Sequence, residues 1–332
     1  MNAQFSRRTF LKTATLASAA SALPVFLTSR GIAQNSASSQ PRNASIYRFK
    51  LGNFRMVSIS DGTLNPPAAL FAGNATPQQL SDVLRQSFQS ESLNVDCNIL
   101  FVDTGSHKVL IDAGSGVLAG ATAGKLIENL ALARINAADI DTIIITHAHA
   151  DHVGGLTNQA GSLVFPNARY FVSNPEWRFW TQPQVSLPKL KGGDQMAKQF
   201  ISVAQKQFGA IRGKVTQFEG DRDIIPGFSA IPTPGHTPGH VALRITSGNA
   251  SLIHTADVVH THTINLWHPD WQPVFDADPE QAAQTRQAIL AQIAADRSLM
   301  FAYHFPFPGI GHLRPRTKGG FDWERMNWQF QA

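Results

Sequence analysis

The sequence predicts an α/β protein in which two sheets lie back to back with helices on the outside. Three observations carry this reading. Short runs of β-branched and aromatic residues are bounded by Gly, Asp or Asn, as strands are. They alternate with segments that carry helix caps. Strands precede helices twice, once in each half of the chain. From Ile46 onward the alternation meets no second linker, so one large domain is expected. An apolar fraction of 43% with 15% charged residues is that of an ordinary globular chain and excludes a disordered one.

Taken in order, residues 1–33 form an address. Ser6-Arg7-Arg8-Thr9-Phe10-Leu11-Lys12 matches the twin-arginine export pattern, and an Ala/Ser/Thr-rich run follows from Thr13 to Leu27. That run is too short, and too interrupted by Pro24, to span a bilayer as a helix. Gly31-Ile32-Ala33 offers the small residues a signal peptidase reads. The expected product is periplasmic or secreted, delivered by the twin-arginine export machinery, with no stable membrane anchor. Residues 34–43 are Ser/Gln/Asn-rich with Pro41 and form a flexible linker, leaving 44–332 as the folded domain. The formal charge of +5 belongs mostly to Arg7, Arg8, Lys12 and Arg30, so the remainder is near neutral and no nucleic-acid partner is indicated. Cys97 is the single cysteine; it excludes an intrachain disulfide and, within Cys97–Val102, is expected as a buried thiol.

Strands are expected at Phe54–Ser60, Asn98–Val102, Lys108–Asp112, Thr142–Thr146, Ala168–Val172, Phe228–Pro232, His240–Ile245 and Ser251–His254. Thr76-Pro77-Gln78-Gln79 supplies an N-cap, a first-position proline and a capping-box glutamine, with Leu80, Val83, Leu84 and Phe88 placed on one helix face. Met196, Phe200, Ala204 and Phe208 recur every four residues in a helix over Asp194–Phe208. Asp278-Pro279-Glu280-Gln281 repeats the cap ahead of Ala282, Ile289, Leu290 and Ile293.

The chemistry is concentrated after Ile143-Ile144-Ile145, in Thr146-His147-Ala148-His149-Ala150-Asp151-His152. Imidazole and carboxylate are ligands that zinc-like cations prefer. Four such groups this close would sit unsatisfied in a dry interior, and the strand-then-loop context argues against a merely solvated histidine-rich loop. His147 and His149 can point one way while Asp151 and His152 diverge toward a second point, which suggests two metals. Thr233-Pro234-Gly235-His236-Thr237-Pro238-Gly239-His240 is a rigid loop after a strand. In it His236 is assigned as a ligand and His240 as a supporting residue behind the ligands. Asp257 ends another apolar strand, where its carboxylate can bridge two cations. His304 sits among apolar neighbours, and a half-filled centre upstream needs its ligand type.

This pattern of His147-x-His149-x-Asp151-His152, then His236, Asp257 and His304, resembles the metallo-β-lactamase-fold hydrolases over essentially the whole mature chain. Asp61-Gly62 and Ile111-Asp112-Ala113-Gly114 match as well. Phe165–Ala168, Gly235–His240 and Phe307–His312 look like segments of the exported methyl parathion hydrolase-like and lactonase-like members. The resemblance implies an αββα four-layer sandwich with a dinuclear centre at one edge between the sheets. It implies His147, His149 and His236 around one metal, Asp151, His152 and His304 around the other, Asp257 bridging, and Asp112 orienting the ligand loop. Two zinc ions are expected, with manganese, iron or cobalt as substitutes.

The expected activity is hydrolysis of a small neutral ester, lactone or organophosphate triester by a hydroxide held between the metals, with Asp151 and Asp257 at the reacting centre and Asp151 able to pass a proton. Trp180, His260 and Phe307 are the candidate substrate contacts. A β-lactam, thioester or sulfate ester substrate is the alternative, and a metal-binding protein without turnover is a third reading. A small-molecule substrate is the expected partner, a homodimer is compatible with the chain, and whether the Phe71 region covers the site is left open.

Overall fold

A computed structural model describes residues 43–118 and 120–330. The export motif, the apolar run after it and nearly all of the linker lie outside the described residues. The first sheet is built in chain order from β1 (Ile46–Leu51), β2 (Phe54–Leu64), β3 (Val95–Asp103), β4 (Lys108–Ile111), β5 (Thr142–Ile145), β6 (Arg169–Ser173) and β7 (Val215–Phe218). The second takes β8 (Asp223–Ile225), β9 (Phe228–Pro232), β10 (Val241–Ser247), β11 (Ala250–His254), β12 (Leu299–Phe301), β13 (Ile310–Pro315) and β14 (Phe321–Arg325). Each sheet therefore comes from one half of the chain. Hairpins make most of the antiparallel pairs, although β2 and β3 are joined by the long segment from Leu64 to Val95, whereas β4 to β7 and β11 to β12 run parallel and need crossovers.

Helices supply those crossovers: α2 (Leu126–Leu132), α3 (Ala150–Val153), α4 (Asn174–Thr181) and α5 (Gly193–Ile211) on the first sheet, α6 (Ile264–Trp267) and α7 (Pro279–Ala295) on the second. Strand alternation decides which side chains meet them. On β3 and β5, Ile99, Phe101, Ile143 and Ile145 face Leu126 and Leu130 of α2 and Trp177, Ala204 and Phe208 of α4 and α5. Leu100, Val102, Ile111 and Ile144 point the other way, onto Phe228, Leu243, Ile245, Leu252 and Phe301 of the second sheet. Ile253 and Met300 cover the outer face of that sheet against Leu290 and Ile293 of α7. The result is the expected four-layer αββα sandwich. Strands buried on both faces explain why β3 and β5 read as continuous apolar runs without alternation.

The helix at Thr76 is α1 (Pro77–Gln86), and its capping box is closed by Gln79 N–H to Thr76 Oγ1 and Thr76 N–H to Gln79 Oε1. Phe88 does not lie on its buried face: the helix ends first, and Phe88 adopts φ 57 and is 97% exposed. The strands that went unpredicted, β1, β7, β8 and β12 to β14, are mostly short or carry charged residues, which weakens the period-two signal. Among the described residues no helix is long and apolar enough to cross a membrane.

Candidate metal centre

Every residue of the predicted ligand set follows the C-terminal end of a strand, all at one edge of the sandwich. His147 and His149 leave β5, and Asp151 and His152 occupy α3 immediately after. His236 lies in the turn from β9 to β10, Asp257 just beyond β11, and His304 just beyond β12. His147, His149 and His236 form one group whose ligand atoms lie within 4.8 Å of one another, and Asp151, His152, Asp257 and His304 form a second. Asp257 joins them. Its Oδ1 is 3.1 Å from His152 Nε2, while its Oδ2 is 3.3 Å from both His236 Nε2 and His304 Nε2.

Four of the five ligand rings, those of His147, His152, His236 and His304, are fixed from behind by a hydrogen bond. Asp112 accepts from the Thr146 backbone at 2.8 Å and from His152 Nδ1 at 2.8 Å, so it both pins the start of the loop and aims His152 Nε2 inward. His147 Nδ1 meets Thr146 Oγ1 at 3.1 Å, and His304 Nδ1 donates to the Asp96 carbonyl at 2.9 Å. His236 Nδ1 meets Asp276 Oδ1 at 2.7 Å. His240 accepts the Asp257 backbone N–H on Nε2 at 3.1 Å and donates from Nδ1 to Thr233 Oγ1, which places it behind the bridging carboxylate as a support. Directing Nδ1–H outward is how proteins set the tautomer of a metal-binding histidine.

The residues present fit a pair of divalent cations. His147 Nε2 and His236 Nε2 stand 3.2 Å apart, each on a ring whose Nδ1 proton is already committed. Two facing lone pairs repel, and a shared cation reconciles them. His152 Nε2 and Asp257 Oδ1 face each other at 3.1 Å in the interior without a hydrogen bond to each other or to any other group, since the Nδ1 proton of His152 is given to Asp112. The local charges agree: burial alone would push the Asp257 carboxyl up, but His152, His304 and His147 hold it well below the usual carboxylate range. Burial, reinforced by neighbouring imidazoles, holds His147 and His149 well below the usual histidine range, whereas against burial Asp257 and the carboxylates beside it push His152, His236 and His304 up, so the carboxylates call for positive charge among the rings, which bound cations would supply.

Above the cluster opens a cavity of about 280 Å³, walled by Leu64, Leu70, Phe71, Met196, Phe200 and Phe275. His260 lines it as well, with Nε2 3.3 Å from Asp257 Oδ2 and neither ring nitrogen hydrogen-bonded. The other two candidate contacts are placed elsewhere. Trp180 is fully buried behind His149, its indole N–H donating to Glu176, because α4 packs inward on the first sheet. Phe307 is half-buried against the core between the sheets. Phe71 stands in the wall, edge-on to Phe275 at 5.2 Å.

Two supporting groups escaped the sequence reading. Asp276 also binds Arg286, a fully buried guanidinium that donates to the Val258 and Trp271 carbonyls. A signal existed: Ala282, Arg286 and Leu290 share one face of α7, so a charge sits on a buried stripe. Glu176, fully buried in α4, had no such signal, since an acid in a first helical turn is ordinary.

Residues 94–304 match the family model of the metallo-beta-lactamase superfamily. Among solved structures, the chain is similar to AidC, a dizinc quorum-quenching lactonase in complex with a product, at 31% identity and TM-score 0.82, covering 86% of this chain and 98% of that one. It is similar to the hydrolase AbOPH at 30% identity and TM-score 0.80, covering 87% and 100%. Among curated proteins, the N-acyl homoserine lactonase AiiA of Bacillus thuringiensis subsp. kurstaki is 28% identical over 167 residues, 50% of this chain and 56% of that protein. The probable metallo-hydrolase Mb2322c of Mycobacterium bovis is 24% identical over 197 residues, 49% and 57% respectively. The chain thus spans little more than half the length of these curated relatives.

Proposed function

The chain belongs to the metallo-beta-lactamase superfamily and is a metallo-hydrolase, and from that premise we propose that it is an exported dizinc lactonase for small neutral substrates with an apolar chain. N-acyl homoserine lactones are the first candidates. The observation that carries this is the cavity: its wall is apolar, and no Lys or Arg is among the described residues that line it. A neutral lactone with an acyl tail matches such a wall, whereas the carboxylate of a β-lactam or the charge of a sulfate ester would meet no cationic side chain in it.

In this reading His147, His149 and His236 would hold one zinc ion, Asp151, His152 and His304 the other, and Asp257 would touch both. Bound there, two divalent cations supply Lewis acidity and an acidified water at neutral pH. The chain's own residues do the rest. Phe71, Phe275 and Met196 hold the tail and exclude water. His260, neutral because burial pushes it down to about 4, stands beside the ester end with its Nε2 turned to Asp257 Oδ2 at 3.3 Å. Asp151, partly exposed at the cavity floor, would pass a proton to the departing alkoxide. Delivery by the twin-arginine machinery to the periplasm or beyond is part of the proposal; changing Arg7-Arg8 to Lys-Lys should retain the precursor in the cytoplasm.

The test is a panel assayed on protein of known metal content: acyl homoserine lactones of increasing chain length, dihydrocoumarin, a paraoxon-type triester, p-nitrophenyl esters and nitrocefin. Two ions per chain and a kcat/KM that rises with acyl length are expected. Faster turnover of nitrocefin than of any lactone would overturn the substrate class, and faster turnover of the triester would move it to organophosphates.

A further inference from the structure

The two loops that bear the all-histidine half of the centre do not touch through their ligands alone. Between them lies the Glu176 carboxylate, fully buried, with one oxygen given to each loop. Oε1 accepts from the Ala148 backbone N–H at 2.9 Å and the Trp180 indole at 2.7 Å. Oε2 accepts from Thr237 Oγ1 at 2.7 Å and the Gly239 backbone N–H at 2.9 Å. Ala148 separates His147 from His149, and Thr237 follows His236. Gly239 precedes His240, which in turn holds the Asp257 backbone. The approach is close throughout: a Cβ on Gly239 would stand 2.0 Å from the Glu176 nitrogen, and Ser173 Oγ donates to the Gly239 carbonyl.

Burying a carboxylate is costly, and here no cationic side chain among the described residues is bonded to it. Four donors offset that cost only while both loops stay in place. We propose that Glu176 is a positioning residue that fixes the separation of the His147–His149 and His236 loops and thereby sets the affinity of the all-histidine metal position. The proposal rests on the two-metal reading above. It differs from the role of Asp112, which grips a ligand ring directly; Glu176 is bonded to no ligand ring and acts through the loops that carry them.

The chemistry supplies a sharp variant. In Glu176→Gln the shape is kept, but one acceptor becomes an NH₂ donor. Thr237 can turn its hydroxyl to accept that donor, whereas the Gly239 N–H cannot, so the His236 loop is released while Ala148 stays bound. Thr237→Val removes one donor from the same loop and leaves the carboxylate intact.

Zinc retention would be followed by elemental analysis during titration with a graded chelator, on wild type and both variants. Thermal unfolding of each would be recorded with and without metal. One ion should leave Glu176→Gln at roughly 10–100-fold lower chelator strength, with a smaller shift in Thr237→Val and the second ion held as in wild type. The metal-dependent part of the melting temperature should shrink in the same order. Unchanged retention of both ions, with equal loss of stability in metal-free and loaded forms, would reduce Glu176 to a packing residue and overturn the proposal. So would equal weakening of both ions. A wild type that holds a single ion would refute the two-metal reading, and Glu176 would then stand or fall on whether that ion is released earlier.

Discussion

The metal centre and the apolar wall above it are built by opposite rules. In the centre, imidazoles are held twice, by the cluster in front and by Thr146, Asp112, Asp276 or the Asp96 carbonyl behind. In the wall, Leu70, Phe71 and Phe275 come from loops that share a small satellite core with Val83, Leu84 and Trp271, and they meet through non-directional contact. Directional bonds fail when one partner is removed, because the other is left buried and unpaired. Apolar contacts degrade by volume and tolerate exchange. Substitutions in the centre should therefore strike rate and metal content together, and substitutions in the wall should strike recognition alone.

The largest effect is expected at the junction of the two ligand groups. Asp257→Ala removes the carboxylate that, among the described residues, faces both, and turnover should fall by about 10³-fold or more together with metal content. A variant that kept both ions and full activity would break the contrast at its strongest point. Next comes Asp276→Ala, which leaves His236 unoriented and Arg286 buried without its partner. Metal retention should weaken roughly 10–100-fold. Stability should drop by about 3–5 kcal/mol from the stranded guanidinium. Adding Arg286→Met should recover much of the stability and none of the metal affinity, which separates the two roles of Asp276 in one cycle.

The same contrast explains what could be read from the chain beforehand. Ligands at a metal centre must be particular residue types, and four of them fall within His147–His152, so their signature survives in the letters. The strand ends that carry His236, Asp257 and His304 were likewise legible, since Pro/Gly loops and apolar runs mark them. Glu176 was not, because its role depends on two loops that only tertiary structure brings to it. The wall was legible only in part, for a related reason: His260 lines the cavity, whereas Trp180 and Phe307 are not among its lining residues. Trp180 and Phe307 were chosen for aromatic character near ligands, but any large side chain suits a core as well as a cavity. Which one it fills depends on the direction its helix or loop faces, and residue type does not encode that direction. Leu64 and Leu70, ordinary aliphatics of the wall, carried no signal at all, and Met196 read only as part of a helix stripe.

Within the wall, Phe71→Ala should raise KM about tenfold for a long acyl chain, consistent with loss of part of a phenyl group's burial, and leave kcat within a few-fold. The effect should fade for a butanoyl chain that does not reach the ring. A fall in kcat that is independent of chain length would mean Phe71 positions the reacting end, and the division between centre and wall would have to be redrawn there.

Trp180 gives the finest test, because it belongs to neither region by contact with substrate. Its ring lies 6.4 Å from that of His149, and its N–H is one of two donors on Glu176 Oε1. Trp180→Phe deletes that donor while Ala148 keeps the oxygen satisfied, so the carboxylate is not orphaned. Stability should fall by about 1 kcal/mol for the hydrogen bond, plus a contribution from the space vacated by the smaller ring. The order of acyl-chain preference should match wild type, because Phe200, which packs on His149 at 4.2 Å, lines the cavity and Trp180 does not. Were the chain-length preference to change while the metal content stayed at its wild-type value, the indole would be reaching the substrate, and α4 would have to be counted as part of the wall.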